Sequence, residues 1–129
     1  MDRLRAFARN SNWDLQDRVF RYLVEHGPAS GYEICKRSAA NLSRSNWANV
    51  KEELEYFEDI EQREDGKWWL TLHGVEAAFT AVPDIKKLIF EAAKYYTEGE
   101  LRPILERKLR RVRSEHDDIV EALKVLRSK

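Results

Sequence analysis

The fold of this chain follows from three stretches: GPASGYEI at residues 27–34, LSRSNW at residues 42–47 and WWLTLHG at residues 68–74. In the first, Gly27 and Pro28 end an amphipathic helix that begins near residue 13, because neither residue favours a continuing helix. Ser30 and Glu33 then form a capping box, which predicts a second, short helix ending near residues 38–41. A third helix follows from Ser43.

The third helix is predicted over residues 43–57. Trp47, Val50, Leu54 and Phe57 fall on one side of a helical wheel, which is typical of a buried stripe. Small and polar side chains occupy the opposite side. The pattern therefore predicts a helix that is anchored on one face and exposed on the other.

A two-stranded hairpin is predicted over about residues 60–71. Asp65 and Gly66 lie at its centre, and this dipeptide tolerates the positive φ that a tight hairpin needs. Alternation places Trp68 and Leu70 on one face of the second strand and Trp69 on the other. Two helices separated by a short turn, a third helix and this hairpin predict a mainly α (α+β) fold, a helix-turn-helix followed by a two-stranded wing.

The C-terminal part is predicted to be helical. A fourth helix, capped by Thr71, reaches about Ala81, a fifth covers about residues 84–96, and the last runs from about Glu100 nearly to the end. Its apolar positions alternate in steps of four and three, the signature of a coiled-coil seam. These positions, proposed for dimerisation, are Leu105, Leu109, Val112, His116, Ile119, Leu123 and Leu126. His116 is the polar member; we interpret it as a tolerated core histidine, with control of register or pH-dependent pairing as the alternative.

Composition limits the class of protein. The 129 residues include 23 basic and 23 acidic side chains, so no global charge attracts a polyanion. The single cysteine fits a reducing compartment, and neither a signal peptide nor a membrane span is readable, which favours the cytoplasm. Residues 1–82 are predicted to form the helix-turn-helix domain and residues 83–129 a helical dimerisation arm.

The sequence contains no motif that indicates a catalytic site or a metal site. The sequence lacks a Gly-rich phosphate loop and a nucleophile motif, and His26, Cys35 and His73 do not have metal-ligand spacing. We therefore expect neither enzymatic activity nor a metal or other cofactor. A small-molecule effector is compatible with the sequence but has no support in it.

The three stretches together resemble the winged-helix transcriptional regulators of prokaryotes, in particular the PadR type and its MarR-like relatives. GPASGYEI is similar to the start of that family's second helix, LSRSNW to its recognition helix, and WWLTLHG to the pattern that ends its wing. The resemblance covers about residues 13–80 and implies a DNA-binding transcriptional regulator. It also implies that a helix after the wing builds a homodimer.

DNA contacts are expected from the N-terminal half of the third helix and from the wing. Arg44 can reach a guanine edge or a phosphate and Asn49 an adenine edge. The full set of candidate residues is Arg44, Ser45, Asn46, Asn49, Gln62, Arg63 and Lys67. A dimer would place two recognition helices in successive major grooves of a near-palindromic site in double-stranded DNA.

An alternative is a winged-helix module that binds a protein instead of specific DNA. Residues 51–65 hold two basic and eight acidic side chains, which favours a basic protein partner for the third helix. The basic run at residues 107–113 is interpreted as the solvated face of the last helix. Trp13, Trp47 and Trp68 are expected in the core, whereas Trp69 either packs in the interior or lines a pocket.

Overall fold

The computed structural model describes residues 13–37 and 42–127. Its elements, numbered here in chain order, are α1 (Trp13–His26), α2 (Gly31–Arg37), α3 (Arg44–Tyr56), β1 (Ile60–Gln62), β2 (Trp68–Leu70), α4 (Leu72–Ala77), α5 (Ile85–Ala92) and α6 (Glu98–Arg127). Over these residues the chain is mostly helical, with one two-stranded antiparallel sheet and a long C-terminal helix.

Helices α1 and α2 are separated by a turn that the sequence predicts correctly. Gly27 has a φ of 83° and donates its backbone N–H to the carbonyl of Leu23 at 2.7 Å, which satisfies one of the last carbonyls of α1. The capping box is confirmed, since Ser30 Oγ accepts from the Glu33 N–H at 3.1 Å and Glu33 Oε1 accepts from the Ser30 N–H at 3.3 Å. The expected end of α2 near residues 38–41 lies outside the described residues.

The ends of α3 are defined by two different caps. At the start, Ser43 Oγ accepts from the Asn46 N–H at 3.1 Å. At the end, Asp59 donates to the Leu54 carbonyl at 2.8 Å and Glu58 to the Glu55 carbonyl at 3.0 Å, the two bonds of a Schellman motif. Glu58 takes the left-handed conformation, with a φ of 59°, that glycine usually occupies in this motif.

The two-stranded hairpin is confirmed, and it pairs Ile60 with Leu70 and Gln62 with Trp68. Its loop has three residues, because Arg63 bonds to both Lys67 and Gly66, and only Gly66 has a positive φ, 83°. A further backbone pair joins Ala29, in the turn between α1 and α2, to Trp68 with N···O distances of 3.2 and 2.7 Å. The sequence offered no signal for this pairing, which joins the helix-turn-helix to the wing.

The start of α4 packs directly against the backbone at the end of α3. Thr71 caps α4 by accepting from the Gly74 N–H at 2.9 Å, and its hydroxyl donates to the Glu58 carbonyl. A Cβ placed on Gly74 would lie 1.8 Å from the Asp59 carbonyl oxygen, so no other residue fits here without movement of the backbone. The Asp59 carboxylate is fully buried and lies 2.8 Å from His73 Nδ1.

The core lies among α1, α3, β2 and the two helices that follow the wing. Its fully buried side chains include Val19, Leu23, Ile34, Val50, Leu54, Leu70, Val75 and Leu88. Burial of each contributes about 1.5–3 kcal/mol relative to exposure. Trp68 is buried as expected, but Trp13 was wrongly predicted as core, since it is 55% exposed on the first turn of α1.

Two predicted helices are shorter than expected. The fourth continues after Ala77 only as a 3-10 turn over Ala78–Thr80, and the fifth ends at Ala92. The chain divides into two compact units between Tyr95 and Tyr96, so α5 belongs to the first unit. The assignment of residues 83–129 to dimerisation stays a prediction. None of the helices that the structure describes combines the length and apolar character needed to cross a membrane.

Candidate nucleic-acid interface

The N-terminal half of α3 presents a polar, exposed face. Arg44, Ser45, Asn46 and Asn49 are all exposed, and Ala48 is an exposed small residue among them. The N-terminus of a helix also carries a partial positive charge, which favours an anion near the Ser43 cap. The structure thus leaves all four predicted α3 contacts accessible, with Ser45 and Asn49 on the face opposite Val50 and Leu54 and with Arg44 and Asn46 at its two edges.

The opposite face of α3 is held by packing. Val50 and Leu54 are fully buried, and the half-buried Trp47 ring meets Trp68 edge to face at a centroid distance of 6.1 Å. Lys51 Nζ lies 5.5 Å from the centroid of the same Trp68 ring. These contacts tie α3 to the wing strand β2, so the exposed face has a fixed orientation within the first unit.

A buried polar pair adds to this anchoring. Gln16 of α1 donates from Nε2 to Glu53 Oε2 at 2.8 Å, and both side chains are buried. Because a buried carboxylate without hydrogen bonds is costly, this bond helps to stabilise Glu53 in the interior. Glu53 therefore does not contribute to the acidic surface that the sequence suggested for α3, which is limited to Glu52, Glu55 and Glu58.

The predicted wing contacts are exposed, but the side chains of two of them also make intramolecular contacts. Gln62 Nε2 donates to the Gly66 carbonyl at 3.1 Å, closing the hairpin. The Arg63 guanidinium lies 4.7 Å from the Tyr95 ring centroid, a cation–π distance. Lys67 extends from an exposed position next to the turn. Of the two wing cations, Arg63 and Lys67, Lys67 is therefore the more accessible to a ligand.

A groove of about 520 Å³ opens between α2 and the start of α3. It is lined by Gly31, Tyr32, Cys35, Lys36, Leu42, Arg44 and Trp47. Lys36 Nζ lies 5.7 Å from the Tyr32 ring centroid, so α2 adds an exposed aromatic ring and a second cation to the surface that carries Arg44. Tyr32 and Lys36 were missed in the sequence because nothing in their spacing indicates that they face α3.

The Cys35 thiol in this groove is half-buried. Burial raises its pKa, while the Arg44 guanidinium acts in the opposite direction. Since the unperturbed thiol already titrates above neutrality, Cys35 stays protonated at neutral pH and carries no charge beside Arg44. The charge of the groove is therefore set by its two cations.

Trp69 is an interior residue of the wing. It is 2% exposed, and its ring meets Tyr95 at a centroid distance of 5.1 Å. Its Nε1 is the one buried side-chain polar atom of the described residues without a hydrogen-bond partner. Of the two interpretations left open by the sequence, core packing is the one that this burial supports.

The predicted dimerisation positions lie along one exposed stripe of α6. Leu105, Leu109, Val112, Ile119, Leu123 and Leu126 are between 36% and 68% exposed. The His116 side chain is 75% exposed and lies 3.7 Å from Asp117. The helix is confirmed, and it presents these apolar side chains without burying them.

Among the described residues, no group of three or more His, Cys, Asp or Glu side chains is arranged to hold a metal ion. No protein-family model, curated protein or solved structure matches this chain. The features of the described residues that bear on function are the surface of α2, α3 and the wing, and the apolar stripe on α6.

Proposed function

We propose that this chain is a winged helix-turn-helix transcriptional regulator that binds double-stranded DNA as a homodimer. The observation that carries the proposal is the division of α3 into two faces. Val50, Leu54 and the Gln16–Glu53 pair fix one face in the fold, and the other offers donors and acceptors that suit base edges and phosphates. A helix held in this way can enter a major groove without losing its packing.

The surroundings of α3 support the same function. Arg44 and Lys36 carry positive charge at its N-terminal end, and Lys67 carries it on the wing. The pairing of Ala29 with Trp68 and the contact of Trp47 with Trp68 hold the wing against the helix-turn-helix. Helix and hairpin would then contact one DNA segment together, the helix in the groove and the hairpin on the backbone.

The test is a fluorescence-anisotropy titration of the protein against random and genomic duplex pools over a range of salt concentrations. We expect affinity to fall steeply with salt, because phosphate contacts release counterions, and the bound fraction to be enriched in a two-fold symmetric sequence. Arg44→Ala should weaken binding by about tenfold or more. Lys86→Ala, which removes an exposed cation of α5, is the matched control and should leave binding unchanged.

The alternative function, a protein-binding module, is favoured by the C-terminal half of α3. Glu52, Glu55 and Tyr56 are exposed there, and Tyr56 meets Phe57 edge to face at 5.2 Å. An acidic surface with an aromatic centre suits a basic protein segment. No duplex binding at low salt, together with intact folding, would favour this alternative over the regulator.

A further inference from the structure

We infer that two copies of this chain pair through α6 in an antiparallel orientation, crossing near Ser114. The inference rests on the homodimer of the proposed function and adds the orientation of its helices. It follows from two properties of α6, the exposed apolar stripe and the distribution of charge along the helix.

The apolar stripe requires a partner. From Leu105 to Arg127 no residue of α6 is buried, and the apolar seam residues expose between 36% and 68% of their surface. A helix with an unburied seam of this length loses most of the stabilisation that normally comes from packing an apolar face. The alternating four-three spacing is the one that allows two helices to interlock along such a seam.

The charges on α6 are separated into two adjacent blocks. Residues 107–113 contain five basic side chains and no acidic one, and residues 115–121 contain four acidic side chains and no basic one. Each block is one heptad long, and Ser114 lies between them. The pattern complements itself when one copy is reversed against the other.

A parallel pair would place like charges side by side. Basic block would face basic block and acidic block would face acidic block, and Lys108 would approach Arg113 of the second copy at the flank of the seam. Like charges at such positions disfavour an arrangement, and charge at the flanks is what sets orientation in coiled coils.

An antiparallel pair crossing at Ser114 places each basic block against the acidic block of the second copy. Beside the seam, Arg113 then approaches Asp117 of the second copy and Glu115 approaches Arg111, twice each by symmetry. The two copies of Arg113 also lie near each other at the crossing, and so do the two copies of Glu115. The four opposite-charge contacts outnumber these two like-charge contacts.

The same crossing also aligns the apolar seam. Leu105 meets Leu123, Leu109 meets Ile119, and Val112 meets His116 of the second copy. The charge blocks therefore select an arrangement that the apolar seam also allows. This agreement between two independent patterns is why we assign the stripe to a second copy of this chain rather than to another protein.

The test uses spin labels at three outward positions, Arg107, Ser114 and Glu121, which are seven residues apart and exposed. Each is changed to cysteine in a Cys35→Ser background, since Cys35 is the only native cysteine. The distance between equivalent labels in the two copies is then measured by pulsed electron paramagnetic resonance. We expect the shortest distance at 114 and equal, longer distances at 107 and 121, where the labels are offset by about 21 Å along the axis.

Other distance patterns overturn the inference in distinguishable ways. Equal distances at all three positions would mean a parallel pair, and a steady change from 107 to 121 would mean a crossing elsewhere. A monomer by light scattering, with no inter-label coupling, would remove the dimer from the proposed function as well. DNA binding is measured in a separate titration. A failure of the antiparallel orientation can therefore be distinguished from a failure of the proposed DNA binding.

A charge exchange gives a second measurement without labels. Arg111→Glu with Arg113→Glu should weaken the dimer by about tenfold or more, because the four opposite-charge pairs with Glu115 and Asp117 become like-charge pairs. Adding Glu115→Lys with Asp117→Lys should restore it. In a parallel pair the same double variant would strengthen the dimer, because it would remove repulsion between the two basic blocks. If the double variant associated as tightly as the native chain, the antiparallel orientation would be overturned.

Discussion

Helices α3 and α6 each have an apolar face and a polar face, but they differ in whether the apolar face is buried. The apolar face of α3 is buried, with Val50 and Leu54 fully inaccessible, so its polar face alone meets solvent. The apolar face of α6 beyond Ile104 remains exposed along its whole length. The backbone that carries a side chain such as Arg44 is therefore fixed within the first unit, whereas the seam of α6 would acquire a fixed environment only in the proposed dimer.

The two surfaces differ in what fixes them. The backbone of α3 is held by the Gln16–Glu53 bond and by the contact of Trp47 with Trp68. The apolar side chains of α6 beyond Ile104 are exposed, and the proposed seam rests on their spacing and on the charges beside them. Substitutions at the buried contacts of α3 should change the stability of the fold, and substitutions in the seam of α6 should change the association of two copies.

The largest effect on folding is expected from Gly74→Ala. The new Cβ would overlap the Asp59 carbonyl oxygen, which would force the start of α4 away from the end of α3. We expect the free energy of unfolding to fall by about 3 kcal/mol, measured by denaturant titration with tryptophan fluorescence.

Gly99→Ala is the matched control, because the nearest atom to its new Cβ is Thr97 Oγ1 at 3.9 Å. It should leave stability unchanged or raise it slightly, since alanine favours a helix more than glycine does. Equal stability of Gly74→Ala and the native chain would show that α3 is not fixed by this contact.

The next effect concerns α6 alone. Replacing Ile119 and Leu123 by glutamate removes two apolar contacts per copy from the proposed seam and should weaken the dimer by about 100-fold or more. Light scattering should then report monomers, while unfolding of the first unit is unchanged. Ser114→Glu, on the outward side of the helix, should remain dimeric; a persistent dimer in the double variant would rule out the coiled-coil seam.

A smaller effect is expected from Glu53→Ala, which leaves the buried Gln16 amide without its acceptor. The unfolding free energy should decrease by roughly 1–3 kcal/mol, because an unsatisfied buried donor retains its desolvation cost. Glu52→Ala on the exposed side should change stability by no more than about 0.5 kcal/mol. If the two variants proved equally stable, the buried pair would not anchor α3.

The smallest effect should stabilise the protein. Glu58→Gly relieves the left-handed conformation at the end of α3 and should raise the unfolding free energy by about 1 kcal/mol. Ala48→Gly, in the middle of the same helix, should lower it by about 1 kcal/mol. Thermal unfolding of both variants would test whether the two changes in unfolding free energy have opposite signs. A lower stability of Glu58→Gly would contradict the prediction.

The sequence predicted those features whose cause lies within a few residues. The capping box of Ser30 and Glu33, the Thr71 cap and the positive φ of Gly66 all depend on bonds between near neighbours in the chain. The exposure of Arg44 and Asn49 followed from helical periodicity alone. The candidate DNA surface on α3 was therefore predicted almost entirely from the sequence.

The features that the sequence did not predict depend on residues far apart in the chain. Trp13 has helical spacing to other apolar residues but lies exposed, because spacing does not show where the neighbouring elements end. Tyr32 and Lys36 join Arg44 only through the packing of α2 against α3. Gly74 belongs to the WWLTLHG pattern that the sequence shows. The reason why glycine is needed there, the close approach of the Asp59 carbonyl, is visible only in the fold.

By itself, the sequence determined the order of the elements, their caps and turns, and the heptad and charge blocks of α6, because these depend on local hydrogen bonding and on periodicity. Only the tertiary structure decided that Glu53 is buried with Gln16, that Ala29 pairs with Trp68, and that Trp69 is an interior residue. The physical reason is that desolvation of a side chain depends on every element that packs around it, and contributions from distant parts of the chain leave no local pattern.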